Sequence, residues 1–367
     1  MPSSAVLDAE PVTASNPEVQ PTHDQWRALY KAAQAFRNIS PWTFVTDTEY
    51  FGVVDPASGK TWYLSVRGSA GEPYGLIAFN GPAALAVVER LNTGLADESP
   101  EALHDYADVI PEHDYVIAAF GDRTELLEDD LAIIQDLKLK FHGARDWPLF
   151  RSVRRHSIDW FVNAAEVHVL TLALVQALDV ARRRRSQPGL LESGTEKLLV
   201  RTSDSGVWTD ERREREAVPI APPAGAVAFP DEFGDEAKKL PKGSEIVELD
   251  HFWNGTITGD AVSEPQHFVR QMLVVGGDDE SVLYPHLLPL DDYGNQLAIG
   301  LVLSTLASNE RFATVQVRKP ELATILGPTA KALDIAIEVV PKLDKITKSR
   351  ATLGLNPIQA LQTGNVE

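Results

Sequence analysis

Apolar residues recur at helical spacing near the start of the chain. Between Asp24 and Asn38 they form one stripe, which consists of Trp26, Leu29, Tyr30, Ala33 and Phe36 or Arg37. The i, i+3, i+4, i+7 spacing predicts an amphipathic helix with one buried face. Pro41 disfavours helical backbone at Ser40 and predicts that the helix ends there.

Short apolar runs then predict a sheet interleaved with helices. The runs TFVTDTEYFGVV, TWYLSVRG and YGLIAFNG are separated by the turn sequences DPASGK and SAGEP, so an antiparallel meander is expected. Pro82 begins a pattern typical of a helix. A polar segment, the strand DYVIAAF, the helix TELLEDDLAIIQDL and the short strand KLKF complete a first α+β module.

A long helix is predicted from Asn163 to about Arg185. Asn163 and Glu166 have the spacing of a capping box, in which each side chain accepts from the backbone N–H of the other residue. The run Arg182–Arg185 would lie at the negative end of the helix dipole, although such a run could also contact nucleic acid. Apolar residues lie on more than one face of this helix, so we expect it to be buried and to join two modules.

The second half of the chain repeats the order of elements of the first. Residues 186–244 mix Pro, Gly and charge around one strand-like run, KLLVRTS, and are interpreted as a loop-rich boundary. The strands FVRQMLVVG and SVLYPHLL, a helix, the strand ATVQVRK, a helix and the strand IAIEVV then give β-β-α-β-α-β, as before. An internal duplication is one explanation, and chance similarity of two α+β modules is the other.

The predicted fold class is therefore α+β, with two modules joined by the long helix. Each module is expected to be a mainly antiparallel sheet with helices on one face. The predicted division is a disordered leader at 1–22, an N-terminal module at 23–160, the connecting helix at 161–185, the boundary at 186–244, a C-terminal module at 245–350 and a tail at 351–367.

Composition narrows the functional classes. The 367 residues carry a formal net charge of −19, which argues against partners such as nucleic acid or an anionic membrane, since both need a positive surface. Cysteine is absent, which excludes disulfides, thiol nucleophiles and zinc–thiolate sites. The N-terminus lacks the pattern of a signal peptide, and the apolar run Val167–Ala181 is too short for a membrane span. A soluble cytoplasmic protein is expected.

The segment Leu137–Phe161 is the leading candidate for a binding site. Its predicted ligand-binding residues are Trp147, Arg151, Arg154, Arg155 and Trp160. The arginines would hold an anion, and the indoles would provide flat stacking faces. In the alternative the segment is a crossover loop, in which the aromatic side chains anchor it to the core and the arginines pair with some of the 53 acidic residues.

Templates for catalysis or metal binding are absent from the sequence. There is no G-x-S-x-G or G-x-G-x-x-G motif, and the pair Gly276-Gly277 is followed by two aspartates, which favours a hairpin turn over a phosphate loop. Ligand-type side chains occur at Asp250, His251, His267, His286, Asp291 and Asp292. Their spacing matches no metal template, so neither a metal nor another cofactor is predicted.

Two stretches resemble a bacterial two-module family known only as domains of unknown function. The matching residues are Gly59, Tyr63, Val66 and Gly68 in a hairpin, then Phe141, Gly143, Trp147, Pro148, Phe150, Arg151, Ser152 and Trp160 in a second segment. The chain departs from the family pattern at Arg155-His156 and at Asp159. The resemblance covers residues 24–185 well and 245–350 more loosely, and it implies an architecture without an activity, a substrate or a cofactor.

Two functional hypotheses follow. The first is a non-catalytic binding or adaptor protein for a partner protein or a small anionic ligand. The alternative is a hydrolase acting on a phosphorylated or nucleotide substrate, with His156 and Asp159 as acid or base near the same arginines. Convergence of His156, Asp159 and two arginines on one pocket would favour the enzyme.

Overall fold

The computed structural model describes most of the chain. The described residues are 19–93, 99–191, 197–216, 231–260, 264–277, 281–289 and 292–355. Residues 1–18 of the predicted leader (1–22) and residues 356–367 of the predicted tail lie outside them.

The described residues form both helices and strands, in mixed order along the chain. The helices are α1 (His23–Arg37), α2 (Gly81–Asn92), α3 (Pro100–Val109), α4 (Glu128–Asp136), α5 (Ala164–Ser186), α6 (Asp231–Lys239), α7 (Tyr293–Ser308), α8 (Pro320–Ala332) and α9 (Asp344–Thr352). The strands are β1 (Tyr50–Val54), β2 (Thr61–Arg67), β3 (Gly75–Asn80), β4 (Tyr115–Gly121), β5 (Trp147–Val153), β6 (Asp159–Trp160), β7 (Lys197–Asp204), β8 (Val207–Glu214), β9 (Ile246–Thr258), β10 (His267–Gly276), β11 (Ser281–Leu288), β12 (Thr314–Val317) and β13 (Ala336–Val339). The predicted α+β class is confirmed.

Contacts divide the chain into two compact units. The first consists of Met1–Asn92, Asp114–Arg154 and Asp159–Val218, and the second of Thr93–His113, Arg155–Ile158 and Pro219–Glu367. Helix α3 and the segment Arg155–Ile158 therefore belong to the second unit, although their neighbours in sequence belong to the first. The units do not follow the linear division drawn from the sequence.

The first unit contains an eight-stranded sheet in the order β6-β5-β4-β3-β2-β1-β7-β8. All neighbours pair antiparallel except β1 and β7, so the predicted meander of β1, β2 and β3 is confirmed. Side chains alternate between the two faces of the sheet along each strand. Leu64 therefore packs in a core with α1 and α5, and Tyr63 packs in a smaller core with α2 on the other face. Helices therefore cover both faces of this sheet, whereas the sequence analysis placed them on one face.

Helix α5 is a core helix of the first unit. Asn163 and Glu166 form the predicted capping box, and nine residues of the helix are buried. Because α5 packs against α1 inside this unit, the interpretation of it as a connection between modules is corrected. Among the described residues, α5 is long and apolar enough to cross a membrane by length and hydropathy alone. Half of its most apolar stretch is, however, buried inside the protein.

The second unit contains a five-stranded sheet in the order β11-β10-β9-β12-β13. Strands β9, β10 and β11 are antiparallel neighbours, while β12 is parallel to both β9 and β13. After β11 the chain crosses to the far side of β9, whereas in the first unit β4 continues the meander beside β3. The internal duplication is therefore not confirmed, because the shared order of elements is folded into two different strand orders.

Several elements of the structure were not predicted from the sequence. The run KLKF forms no strand, and Lys138 has φ +54° in the turn after α4. The strand lies further along, as β5, where a buried Arg151 and Ser152 interrupt the apolar alternation. Strand β8 was not predicted, because its sequence is highly charged. It is an edge strand that pairs with β7 through a tight turn with positive φ at Ser205 and Gly206. Helix α6 lies in the segment that was interpreted as a loop-rich boundary, and no element was predicted at α9.

We expect Leu174→Ala to lower the free energy of unfolding by about 2–5 kcal/mol, because it removes a side chain that is 0% exposed in the core of the first unit. Chemical denaturation measures this change. Val175→Ala, one residue further along α5 at a position that is 49% exposed, is the matched control and should cost less than about 1 kcal/mol. Similar losses for the two variants would contradict the burial of this helix face.

Candidate functional site

The predicted site segment is divided between the two units. Trp147, Arg151, Arg154, Asp159 and Trp160 belong to the first unit, on or beside β5 and β6. The short segment Arg155–Ile158 between them belongs to the second unit. Each part is therefore described within its own unit.

Arg151 forms a buried ion pair in the first unit. Its Nη1 and Nη2 atoms donate to the two carboxylate oxygens of Asp130, at 2.9 and 2.6 Å. The guanidinium also lies over the ring of Phe161, with its central carbon 5.1 Å from the ring centroid. Asp159, with an exposed carboxylate, is 3.8 Å from Nε. This bidentate geometry occupies the donors that were predicted to hold an anion.

Arg154 supports the start of α5. It donates to Glu166 at 3.2 Å, and Ser152 Oγ donates to the same oxygen at 2.7 Å. The other oxygen of Glu166 accepts from the backbone N–H of Asn163 at 2.8 Å, which is part of the capping box. One carboxylate therefore joins β5 to the first turn of the helix, and Arg154 contributes to that structural contact.

The two indoles of the segment are half-buried in the first unit. Trp147 packs against Phe141 with ring centroids 5.6 Å apart, and Trp160 packs against Phe161 at 5.5 Å. These contacts match the crossover alternative for this part of the segment, in which aromatic side chains anchor the chain.

In the second unit, Arg155 and His156 meet residues that the sequence analysis did not select. We call this group the Arg270 site, and it consists of Glu112, Arg155, His156, Trp253, Arg270 and Tyr293. Glu112 ends a short 3-10 turn, Ile110–Glu112, that follows α3, while Trp253 and Arg270 are paired on β9 and β10. Tyr293 is the first residue of α7.

Arg270 lies close to two aromatic rings. The central carbon of its guanidinium is 4.2 Å from the ring centroid of Trp253 and 4.7 Å from that of Tyr293. Such cation–π contacts stabilise a guanidinium that is withdrawn from water. Burial nevertheless lowers the pKa of Arg270 from its ordinary value, although Glu112 opposes this change.

Glu112 is the common acceptor of the site. It receives hydrogen bonds from Arg155 Nε at 2.8 Å, from Arg270 Nη2 at 3.2 Å, and it lies 3.2 Å from His156 Nε2. Burial acts to raise the pKa of Glu112, but the hydrogen bonds and charges of His156 and Arg155 outweigh this and lower the pKa to about 2. The carboxylate is ionised at neutral pH, and two arginines share its single charge.

Two nitrogen atoms near α7 have no hydrogen-bond partner among the described residues. They are Nε of Arg270, whose residue is 8% exposed, and Nδ1 of His251, whose ring centroid is 5.9 Å from that of Tyr293. Burial lowers the pKa of His251 well below its ordinary value, so its imidazole is neutral. The side chain of Asp292, which precedes α7, makes no capping hydrogen bond to the helix backbone.

His156 has a strained backbone that places its ring in the site. Its φ is +66°, in the left-handed region, and its ring centroid is 4.8 Å from that of Trp253. The backbone N–H donates to Pro111 O at 2.6 Å, and the carbonyl accepts from Phe268 N at 2.9 Å. Such strain persists only where surrounding contacts hold it.

The ligand-type side chains of the second half have other contacts. Asp250 binds Lys319, His267 binds Ser157, and His286 binds Gln296, while Asp291 lies outside the described residues. Across the described stretches no group of three or more His, Cys, Asp or Glu side chains is placed to hold a metal ion.

Comparison with known proteins gives a class for each half of the chain. Residues 26–201 match a domain of unknown function (DUF7309), and residues 235–353 match a second domain of unknown function (DUF6930). The chain therefore carries a region similar to a domain of unknown function in each of two modules, and the two-module resemblance seen in the sequence is confirmed. A search of curated proteins found no match to the chain.

Trp253, Arg270 and Tyr293 were not predicted as site residues, because no local spacing in the sequence connects them. One signal was available: Arg270 stands within the apolar strand sequence HFVRQMLVVG, four positions of which are completely buried. A cation inside a buried strand needs a partner, so its presence indicated a polar cluster of unknown composition.

We expect Glu112→Gln to destabilise the protein at neutral pH, because it leaves two arginines without their shared carboxylate. A pKa lowered from 4.5 to about 2 contributes about 3 kcal/mol, which is present above pH 4.5 and lost as the pH falls through about 2. The stability difference between wild type and Glu112→Gln, measured by urea denaturation, should therefore shrink on acidification.

Glu264→Gln, at an exposed position of the second unit, is the control for this prediction. It should change stability by less than about 0.5 kcal/mol at every pH. A difference between wild type and Glu112→Gln that is constant with pH would contradict the described hydrogen bonding of Glu112.

Proposed function

We propose that the second unit binds a small anionic ligand at the Arg270 site and that the protein acts in binding without catalysis. The observation that carries this proposal is the buried Nε of Arg270, which has no hydrogen-bond partner among the described residues. A buried donor of a charged group that lacks an acceptor destabilises the fold, and an anionic ligand would supply the acceptor.

The charges of the site favour an anion. Arg155 and Arg270 carry two positive charges against the single negative charge of Glu112, and His156 adds a donor or a further charge. Tyr293, whose ring lies beside Arg270, is also the first residue of α7, and the positive end of a helix dipole attracts phosphate groups. An anion bound here would interact with a side-chain cation and with the helix end.

The aromatic residues favour a ligand that is small. The rings of Trp253 and Tyr293 lie 4.2 and 4.7 Å from the central carbon of the Arg270 guanidinium, so they leave little room beside it for a bulky ligand. This argues for an anion such as phosphate, or the phosphate end of a larger molecule, since a phosphate oxygen can accept from the edge of a guanidinium.

The hydrolase alternative gains no support from these contacts. His156 belongs to the second unit and pairs with Glu112, while Asp159 belongs to the first unit and lies beside Arg151. The cysteine-free composition and the net charge of −19 support a cytoplasmic location and a partner that is neither membrane nor nucleic acid. A partner protein that presents a phosphorylated side chain would use the same chemistry.

We expect Arg270→Met to weaken the binding of inorganic phosphate at least tenfold, because it removes a charged donor whose loss is worth about 1.4 kcal/mol or more. Isothermal titration of the full chain measures this affinity. Arg270→Lys keeps the charge without the planar fork and should bind with intermediate affinity.

Arg154→Met is the matched control, because Arg154 is the arginine of the predicted segment that is committed to Glu166. Its phosphate affinity should equal that of wild type within about twofold. Unchanged affinity in Arg270→Met would reject the Arg270 site. Loss of binding in Arg154→Met alone would assign the anion to the first unit.

A further inference from the structure

A second arginine of the same unit is more deeply buried than Arg270. Arg350, on α9, is 1% exposed and is the largest completely buried side chain of the described chain. Its Nε, Nη1 and Nη2 atoms are all buried, and none of them has a hydrogen-bond partner within the part of the chain that the structure describes. A guanidinium offers five N–H donors, so the whole donor capacity of this group is unused.

The carboxylates around Arg350 are occupied by other cations. Lys319 Nζ lies 2.8 Å from Asp108 Oδ2 and 3.3 Å from Asp250 Oδ1. Arg318 donates to both oxygens of Asp105, at 2.8 and 2.6 Å. Asp108 and Asp250 act on Arg350 through their charge, without a hydrogen bond to it. They balance the charge of Arg350 and leave its donors unused.

The orientation of Arg350 defines what can bind. Its central carbon lies 3.8 Å from the ring centroid of Phe252, so the ring covers one side of the guanidinium. The N–H groups point outward in the guanidinium plane, where a carboxylate can accept two parallel hydrogen bonds. A flat carboxylate fits such a planar edge without disturbing the ring contact.

The local charge count favours a ligand with a single negative charge. Three cations, Arg318, Lys319 and Arg350, face three aspartates, Asp105, Asp108 and Asp250, so the cluster is neutral when all six are ionised. Burial lowers the pKa of the neighbouring His104 to about 4, with a further contribution from Arg350, so that ring adds no charge at neutral pH. A monoanion disturbs this balance less than a dianion does.

A protonated Asp250 would leave the cluster with one net positive charge. Burial raises the pKa of Asp250, although Lys319 acts in the opposite direction. Uptake of a proton by this carboxyl would therefore accommodate one bound negative charge. The partly exposed side chains of Asp105 and His104 on α3 show that the cluster extends to the surface of the unit.

We propose that Arg350 is the receptor for the carboxylate group of a small monoanionic ligand, which it binds through the unpaired N–H groups of its guanidinium. This site is separate from the Arg270 site and does not rest on the function proposed for it. Asp250 and Phe252 are on the face of β9 toward α9, whereas His251 and Trp253 point to the opposite face. A ligand of each site would therefore contact a different face of the strand.

Acetate is the probe that tests this proposal. Binding of acetate and of phosphate is measured by titration at constant ionic strength, on the full chain, for wild type, Arg350→Met and Arg270→Met. We expect acetate binding to weaken at least tenfold in Arg350→Met and to be unchanged in Arg270→Met. Equal acetate affinity in wild type and Arg350→Met would overturn the proposal. So would a loss of phosphate affinity in Arg350→Met that is larger than the loss of acetate affinity.

Protein labelled with 15N in its arginines gives a second readout that requires no variant. The Arg350 Nε–H resonance should shift as acetate is added and saturate with the affinity found by titration. The Arg311 resonance is the control, because its guanidinium already donates to the carbonyls of Leu240 and Leu333. A shift of the Arg311 resonance without a shift of the Arg350 resonance would reject the site. Phosphate binding in Arg270→Met tests the Arg270 site alone, so failure of one proposal can be told from failure of the other.

Discussion

Lys319 binds Asp108 through its ammonium group, and this buried ion pair attaches α3 to the sheet of the second unit. Nζ also donates to the carbonyl of His251 at 2.5 Å. Burial lowers the pKa of Lys319, but Asp108 and Asp250 outweigh burial and raise it, so the group stays charged. Because α3 continues directly into the turn Ile110–Glu112, the contact that fixes Asp108 also fixes the position of Glu112.

Strand β9 separates two polar clusters that share this support. Asp250 is directed toward the cluster of Arg350, and the next residue, His251, toward α7 and Tyr293. Each cluster contains an arginine that is withdrawn from water and still has unpaired donors within the described chain. A fold selected for stability alone would pair these donors or replace them by apolar side chains. Departures of this kind are expected where a protein binds something.

Much of the fold could be predicted from the sequence because local rules determine it. The stripe of α1, the strands β2 and β3 and the Asn163–Glu166 capping box all depend on neighbouring residues. Strand order depends on contacts between distant segments, so two modules with the same order of elements folded differently. Strand β5 was missed because Arg151 is buried there by a partner, Asp130, that lies on another element.

The candidate site shows the same limit. The sequence indicated an anion held by arginines beside indoles, and Arg155 and His156 do meet an indole, that of Trp253, together with Arg270. Trp253 and Arg270 are remote in sequence from Arg155 and become neighbours only through the pairing of β9 with β10. Periodicity can show that Arg270 is buried, but it cannot show which ring or carboxylate faces it.

The backbone gives a reason why the short segment Arg155–Ile158 could serve a site so remote in sequence. Its residues bind other parts of the second unit through main-chain hydrogen bonds, from His156 N to Pro111 O, from Phe268 N to His156 O, and from Ile158 N to Gln266 O. Main-chain bonds hold the segment whatever its side chains do, so Arg155 and His156 are oriented toward Glu112 before any ligand arrives. An ordered cationic site loses little conformational entropy on binding, which favours affinity for a small anion that offers few contacts.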